Sequence, residues 1–387
     1  MMKKEEEDFT VLLSKCPALT DLTTRYVEYD NEHRELLRTL CETRLKRLSF
    51  CINKLQYGID MSDVIRMPHL QELSIRNSSR DVPVGYYVPG LETILMCPNL
   101  RVLRWFTTSV DLTAGIFRQI FGACPRLEAI ELQQMVLADN VIASMLETMQ
   151  ASATEVIVPE RKDSVWYGGN EANTVGFKTR AFKALERRHF ATLVVLDMGT
   201  QSKEVTSSMI LRVLSACPRL KEITAYQVLA KEIRDGPGVW ACRGLEVFRV
   251  KIHGFYKPLI DHIRVAVFRR FATLPRLRVL HIGGHGRKDE SVVLRLDSGM
   301  GQLAELKLES VSVYGGPQKM RREDVEWIRE HWRGLRVLEG DLHPNGEVSE
   351  AIREVLTAPR DGGRKRREEA EKTFERFAFY TVNHRYR

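Results

Sequence analysis

Ala123-Cys124-Pro125-Arg126-Leu127 occurs a second time without change, as Ala216-Cys217-Pro218-Arg219-Leu220. Before each copy, apolar residues recur at i, i+3 and i+4: Phe117, Ile120 and Phe121 in one, and Ile210, Val213 and Leu214 in the other. After each copy, apolar and other residues alternate through 127–132 and 220–225. A helical period thus changes to a strand period at a proline, which cannot continue a helix. Each copy therefore predicts a helix, a stop and a strand.

Further copies of the strand pattern run along the chain. The template is Leu-x-x-Leu-x-Leu, with other apolar residues accepted, and its first residue is called the anchor. Anchors fall at Leu19, Leu45, Leu70, Leu100, Leu127, Leu193, Leu220, Leu245, Leu277, Leu303 and Leu335, with a degenerate copy from Ala153. Successive anchors are 25 to 32 residues apart, except for 40 residues after Ala153. Such repetition is typical of a solenoid, in which each repeat buries its apolar face against its neighbours.

The repeats predict an α/β solenoid with about 12 rungs. We expect a curved horseshoe with a parallel β-sheet on its concave face, helices on its convex face, and strands about 4.8 Å apart. The repeat domain is expected at 1–357, with a loop insertion at about 159–179 inside the 40-residue interval. Residues 358–387 are expected to form a basic C-terminal tail or capping segment.

Four repeats begin with Cys-Pro, at 16–17, 97–98, 124–125 and 217–218. The spacing Cys-Pro-x-Leu-x-x-Leu-x-Leu resembles the cysteine-containing leucine-rich repeats of F-box proteins and the related ribonuclease-inhibitor-like repeats. The segment Trp240-x-Cys242-x-x-Leu245 is similar to fungal members of this group. The resemblance implies an intracellular protein that recognises the substrate of a Skp1–cullin–F-box ubiquitin ligase.

The resemblance also implies a helical F-box before the repeats. The first repeat begins by Cys16, so we expect Skp1 to be a partner only if an F-box exists outside this chain. The alternative is a freestanding scaffold or regulator of the ribonuclease-inhibitor type, without a role in ubiquitin ligation.

Composition excludes several classes of protein. The 387 residues are 43% hydrophobic and 28% charged, as in a globular domain, and no apolar run is long enough for a membrane helix. The net charge is +8, but +4 of it lies in residues 358–387, where nine basic residues face five acidic ones. The body is therefore nearly charge-balanced, which argues against nucleic acid as a partner.

Catalytic and metal-binding motifs are missing from the sequence. The seven cysteines include no Cys-x-x-Cys pair, and no Gly-x-Ser-x-Gly, His-Glu-x-x-His or kinase signature occurs. The glycine-rich segment 281–288 lacks the spacing of a phosphate-binding loop and is interpreted as a turn. We expect no enzyme activity, no cofactor and no metal.

The tail contains Arg364-Lys365-Arg366-Arg367. We interpret these four consecutive basic residues as a solvated helix start or linker, and the alternative is a nuclear localisation signal or a nucleic-acid patch. The expected location is the cytoplasm, the nucleus or both.

Side chains alternate along a strand, so template positions one, four and six should face the core and positions three, five and seven the concave surface. Those positions predict a face striped basic, acidic, basic and acidic. The stripes are Arg25, Arg47, Arg76, Arg104 and Phe106; then Glu131, Gln133, Glu155, Asp197, Glu222 and Tyr226; then Arg249, Lys251, His281 and Lys307; then Glu309, Glu339 and Asp341.

A protein partner is expected on this concave face, because aromatic residues and arginines are frequent at interface hot spots and charge patterns select among partners. The predicted protein-binding residues are Arg76, Arg104, Phe106, Glu131, Gln133, Tyr226, Arg249, Lys251 and His281. The alternative is that these polar residues only keep a solvated sheet soluble.

Overall fold

The computed structural model describes residues 15–16, 18–23, 27–29, 44–55, 66–77, 90–106, 112–133, 135, 137–158, 176–199, 204–236, 239–255, 260–283, 292–313 and 318–357. The chain forms two compact units, Met1–Glu204 and Val205–Arg387. Both are α/β, and in both the strands are parallel to their neighbours and follow chain order. This is the predicted leucine-rich-repeat solenoid architecture.

The first unit contains a sheet of eight strands. They are β1 (Asp21–Thr23), β2 (Val27–Tyr29), β3 (Arg47–Leu55), β4 (Glu72–Asn77), β5 (Val102–Phe106), β6 (Ala129–Gln133), β7 (Glu155–Ile157) and β8 (Val195–Asp197). Strands β1 and β3 to β8 pair in chain order, and β2 pairs with the later part of β3. The helices described in this unit are α1 (Leu91–Leu95), α2 (Ala114–Ala123), α3 (Asp139–Thr148) and α4 (Thr179–Arg188).

The second unit continues the same alternation. Its strands are β9 (Glu222–Leu229), β10 (Val247–His253), β11 (Val279–His281), β12 (Ser310–Ser312) and β13 (Val337–Glu339). Its described helices are α5 (Ser207–Ala216), α6 (Ala230–Asp235), α7 (Ile260–Ala272), α8 (Arg322–His331) and α9 (Gly346–Thr357), with short 3₁₀ turns at Leu296–Ser298 and Met300–Leu303.

Strand register follows the repeat template. Residues at the same template position pair with one another, as in Glu72 with Val102 and Val247 with Val279. The register shifts by one residue late in the β9–β10 pair, where Lys251 pairs with Gln227 and Tyr226 is the extra residue. Positions one, four and six are buried in most repeats: in the fourth, the anchor Leu100, Leu103 and Trp105 have no exposed surface. In the first repeat, Leu19 and Leu22 are half-buried. Stacking the repeats in register therefore builds one continuous apolar layer in each unit.

A backbone link also joins successive repeats just before the strands. The carbonyl at template position two accepts N–H groups from two consecutive residues of the next repeat. The Gln71 carbonyl, for example, accepts from Arg101 at 2.8 Å and from Val102 at 3.0 Å. The Glu246 carbonyl accepts from Arg278 at 2.9 Å and from Val279 at 3.0 Å. We call this recurring link the carbonyl rung.

The duplicated Cys-Pro segments end helices, as predicted. Cys124 follows the last residue of α2 and its N–H donates to the Ile120 carbonyl, while Cys217 closes α5 in the same way on Val213. A turn at the proline then leads into the next strand. The opposite ends of both helices begin after a threonine, Thr113 or Thr206, whose side chain accepts an N–H of the first turn.

The end of the long interval before β8 is tied to an earlier helix. The carboxylate of Asp139, the first residue of α3, accepts N–H groups at the start of α4 from Lys178 at 2.8 Å and from Arg180 and Ala181 at 3.0 Å. These are donors that a helix leaves without partners in its first turn. Most of the predicted insertion at 159–179 lies outside the described residues, and so does the predicted tail at 358–387.

One predicted anchor is wrong. Leu303 was expected to open a strand, but it lies in a 3₁₀ turn, and β12 begins at Ser310. Because Val279 pairs with Ser310 and Ser310 with Val337, the anchor of this repeat is Leu308. The segment from Leu303 matches the template as well as the segment from Leu308 does, so the pattern alone could not separate them.

Candidate protein-binding surface

Template positions three, five and seven form the exposed side of each sheet, which we call the open face. Burial alternates along the strands, so that in β5 Leu103 and Trp105 are covered while Arg104 and Phe106 are half-buried. All nine residues predicted to bind a partner lie on open faces. Those of the first unit are Arg76, Arg104, Phe106, Glu131 and Gln133, and those of the second are Tyr226, Arg249, Lys251 and His281.

Arg104 is held between two carboxylates on the open face of the first unit. Its guanidinium lies 3.5 Å from Glu72 on β4 and 3.3 Å from Glu131 on β6. Glu131 also accepts a hydrogen bond from the amide of Gln133 on the same strand. The Arg104 side chain is 41% exposed, so water screens these ion pairs and they orient the side chains more than they stabilise the fold.

A cation–π pair lies at position seven of the first unit. The guanidinium carbon of Arg76 lies 4.9 Å from the centre of the Phe106 ring, across the β4–β5 pair. Such contacts at accessible sites contribute roughly 0.5–1 kcal/mol. The stacked pair presents a flat aromatic and guanidinium surface, and these are groups that often dominate protein interfaces.

The second unit has the same kind of pair at the same template position. The Lys251 ammonium lies 5.1 Å from the centre of the Tyr226 ring, across the β9–β10 pair. Burial lowers the pKa of Lys251 from its ordinary value, because a partly desolvated ammonium loses some of its hydration. Here cation and ring have exchanged strands relative to Arg76 and Phe106.

Arg249 and His281 occupy position five on neighbouring strands of the second unit. Arg249 lies 3.8 Å from Glu222. The Nε2 atom of His281 lies 3.2 Å from the Ser310 hydroxyl. Burial lowers the pKa of His281, with a further contribution from the Arg249 charge and an opposing one from Glu339. The imidazole is therefore neutral at pH 7, and this part of the face carries less positive charge than the sequence predicts.

Sequence reasoning missed several members of the open face. Ser310 belongs to it because the anchor is Leu308. Ser312 lies at position five of the same repeat but has no exposed surface, and its hydroxyl donates to Glu339 at 2.8 Å. Glu72 was also omitted, although it lies at position three of its repeat. A comparison of the residue at position three of each repeat with the residue at position five of the next would have indicated that Glu72 can pair with Arg104.

The predicted charge stripes are wrong in two places. The first basic stripe also contains Asp21 and Glu72, which form ion pairs with Arg47 and Arg104. Lys307 and Glu309 precede β12 and are not on the open face, because their repeat begins five residues later than predicted. Arg25 lies outside the described residues. Opposite charges on the open face thus alternate between strands and largely neutralise one another.

The described ranges contain no group of three or more His, Cys, Asp or Glu side chains arranged to hold a metal ion. Among the same residues, no helix has the length and apolar character needed to cross a bilayer.

The chain is similar in fold to chains of solved structures. No protein-family model matches the chain, and no curated protein matches it. A solved chain in the crystal structure of the yeast Rad7 and Elc1 complex is 14% identical in sequence, with a TM-score of 0.37. The match covers 86% of this chain and 81% of that chain.

Proposed function

We propose that this protein binds another protein through the open faces of its sheets. The observation that carries the proposal is the pair of half-buried aromatic rings, Phe106 and Tyr226, each stacked with a cation at position seven. These side chains are fixed by their neighbours before any partner arrives, so little conformational entropy remains to be lost on binding.

Amphipathic contacts, more than net charge, would supply the affinity. Arg104 already has two carboxylate neighbours and Arg249 has one. A partner therefore gains more by covering Phe106 or Tyr226 than by adding another charge, and the paired charges fix the register of the contact.

A photo-crosslinking experiment tests this proposal. Benzoylphenylalanine placed at Phe106 or Tyr226 should crosslink a protein partner in cells that express this chain. The matched control carries the same group at Lys183, an exposed position on α4. We expect partner bands at 106 or 226 that are missing at 183 and weakened by Arg104→Glu with Arg249→Glu. Equal labelling from position 183 would contradict the proposal.

We further propose that the partner is the substrate of an F-box-type ubiquitin ligase receptor. Support comes from the resemblance of the Cys-Pro repeats, two of which close helices at Cys124 and Cys217. The test is co-purification with Skp1 from cells expressing the full-length gene product. Recovery of the open-face partner without Skp1 would favour the freestanding scaffold.

The proposal includes no chemical reaction on the repeats. Burial raises the pKa of the Cys124 and Cys242 thiols to about 12, so both remain protonated at neutral pH and are poor nucleophiles. Turnover in a broad hydrolase and transferase screen would overturn this part. We further propose that the protein acts in the cytoplasm, the nucleus or both.

A further inference from the structure

A polar groove runs along the edge of the first unit where the strands begin, away from the open face. Its volume is about 910 Å³. The groove is lined mainly by the two residues that flank each buried anchor, such as Arg44 and Lys46 around Leu45, or Arg126 and Glu128 around Leu127. Each repeat from the second to the fifth therefore contributes a pair of polar side chains. We call it the edge groove.

The charge of the edge groove is strongly one-sided. Four of its lining residues are cations, Arg44, Lys46, Arg101 and Arg126, and its one carboxylate is Glu128. Arg101 satisfies that carboxylate, with its guanidinium 2.7 Å from the Glu128 oxygen. The other three cations leave a positive concavity, which attracts an anionic ligand.

Two of these cations have no ion-pair partner among the residues that the structure describes. In the described ranges, the exposed side chains of Arg44 and Arg126 form no hydrogen bond and no ion pair. On the open face of the same unit, Arg47 is paired with Asp21 and Arg104 with two carboxylates. Arg76 on that face has no ion pair among the described residues, but its guanidinium stacks on the Phe106 ring. The edge groove therefore differs from the open face in holding two arginines that have neither a carboxylate nor an aromatic partner within the described ranges.

The spacing of the groove fits an extended peptide. Arg44 precedes β3 and Arg126 precedes β6, three strand intervals apart, or about 14 Å at 4.8 Å per interval. An extended chain advances about 3.4 Å per residue and returns its side chains to the same side every second residue. Carboxylates at positions i and i+4 of such a peptide would therefore reach Arg44 and Arg126 together.

The middle of the groove suits a peptide backbone. Asn99 donates its amide N–H to the Pro68 carbonyl at 2.7 Å, which leaves its side-chain oxygen as an acceptor. Gln71 makes no side-chain hydrogen bond within the described ranges and offers both a donor and an acceptor. An extended peptide has N–H and C=O groups to meet these amides, whereas an α-helix has already used its own.

A nucleic acid fits the groove less well. Single-strand binding grooves combine cations with aromatic platforms on which bases stack, and no Phe, Tyr or Trp is among the described residues that line this one. The Glu128 carboxylate and the Asn99 side-chain oxygen would also face a phosphate backbone that has no donor to offer them.

We propose that the edge groove binds an extended acidic segment of a partner protein, with two carboxylates four positions apart, one at Arg44 and Lys46 and the other at Arg126. This surface is separate from the open-face contact and does not depend on it.

Fluorescence anisotropy with defined peptides tests the proposal. The probe is a fluorescein-labelled nine-residue peptide of glycine and serine with aspartates at its third and seventh positions. The comparison peptides have aspartates at the third and fifth positions, or asparagines at the third and seventh. At low salt, where attraction is least screened, the i, i+4 aspartate peptide should bind several-fold more tightly than either.

Variants locate the site. Arg44→Glu with Arg126→Glu should weaken binding of the i, i+4 peptide roughly tenfold or more, because two attractive contacts become repulsive. The matched control is Arg118→Glu with Lys183→Glu, which reverses two exposed helix charges and should leave the affinity unchanged. The melting temperature of each variant is measured alongside. A photoactivatable version of the peptide should also label wild-type protein at residues next to Arg44 or Arg126.

Three results would overturn the proposal. One is equal affinity for the i, i+4 aspartate peptide and the asparagine peptide. Another is an equal loss of peptide affinity in the two double charge-reversal variants. The third is tighter binding of a twelve-nucleotide oligothymidylate or of inorganic polyphosphate with the same dependence on Arg44 and Arg126, which would assign the groove to a phosphate chain. Phe106→Ala with Tyr226→Ala should leave peptide binding intact. Failure of the open-face proposal can therefore be distinguished from failure of the edge-groove proposal.

Discussion

The thiol of Cys124 donates a hydrogen bond to the backbone carbonyl of Ile94 at 3.3 Å. The two residues belong to successive repeats, so the contact ties the end of α2 to the helix α1 before it. The cysteine therefore has two roles: its backbone N–H closes its own helix, and its side chain joins that helix to the neighbouring repeat.

Cys124→Ala should lower the free energy of unfolding by about 1–2 kcal/mol, because it removes a buried thiol with its packing contacts and one of the two hydrogen bonds to the Ile94 carbonyl, which keeps the N–H of Cys97 at 3.1 Å. Urea unfolding followed by circular dichroism measures the change. Cys16→Ala, at a half-exposed Cys-Pro position, serves as the control and should change stability by less than about 0.5 kcal/mol. Equal effects at the two sites would show that the inter-repeat contact contributes nothing.

His189 predicts a loss of stability at mildly acidic pH. Its Nε2–H donates to the Leu146 carbonyl at 2.8 Å, while Nδ1 is buried and has no hydrogen-bond partner among the described residues. Burial lowers the pKa of this imidazole, opposed by the Leu146 carbonyl and reinforced by the Arg188 charge. The unfolded chain therefore binds a proton on this imidazole near pH 6.5, whereas the folded chain binds it only at lower pH. The free energy of unfolding consequently falls as the pH drops below about 6.5.

The size of this effect is at most about 1.4 kcal/mol per pH unit for one proton. The pKa values of His281 and His343 are lowered too, so the test is the difference between wild type and His189→Gln in urea unfolding at pH 7.5, 6.5 and 5.5. The wild type should lose more stability than the variant over this range. Parallel curves would exclude His189 as a source of the pH dependence.

Gly340 should tolerate no side chain. It stands at position six of the last repeat with a φ of 117°, and a Cβ there would lie 1.9 Å from the Val313 carbonyl oxygen. Gly340→Ala should therefore cost at least about 2–3 kcal/mol through backbone strain and displacement of β13. The midpoint of urea unfolding measures the loss.

Gly122→Ala is the matched control for that experiment. Gly122 is exposed in α2, and an added Cβ would meet nothing within 4 Å. Alanine favours the helix over glycine by up to about 1 kcal/mol, so this variant should be neutral or slightly stabilised. A similar loss from both substitutions would contradict the role of Gly340.

Asp139 is expected to position the start of α4. Asp139→Ala removes the acceptor of three N–H groups, and losing a helix cap costs about 1–2 kcal/mol. Hydrogen exchange should become faster at Lys178, Arg180 and Ala181 while the amides of β5 stay protected. Asp261→Ala, an exposed position in the first turn of α7, is the control. Unchanged exchange at the start of α4 would remove Asp139 from this role.

The sequence predicts the fold well because apolar residues are buried at the same position of each repeat. Anchors such as Leu100 and Leu220 are fully covered, and an apolar residue that must be buried at regular spacing leaves a pattern that can be read without coordinates. The pattern fails at Leu303, where apolar residues are dense enough to match the template in two registers. It also cannot show that β2 adds to β3, since that pairing lies off the repeat.

The candidate site could be located but not resolved from the sequence. Alternation along the strands places Arg76, Phe106, Tyr226 and Lys251 on one face, yet which of them touch depends on side-chain conformations that a pattern does not contain. The edge groove was missed for a related reason. Its residues flank the anchors at the start of each strand. The sequence analysis considered only the positions that face the core and those that face the open side of the sheet.

The carbonyl rung has a consequence for how this chain can change. Since the link before each strand is made by main-chain atoms, the fold does not depend on which side chain occupies position two. Lysine, glutamine, arginine and glutamate all serve there, at Lys46, Gln71, Arg101 and Glu128. Substitutions at position two can therefore change the charges along that edge with little loss of stability. Related proteins could bind different partners there while keeping the same backbone structure.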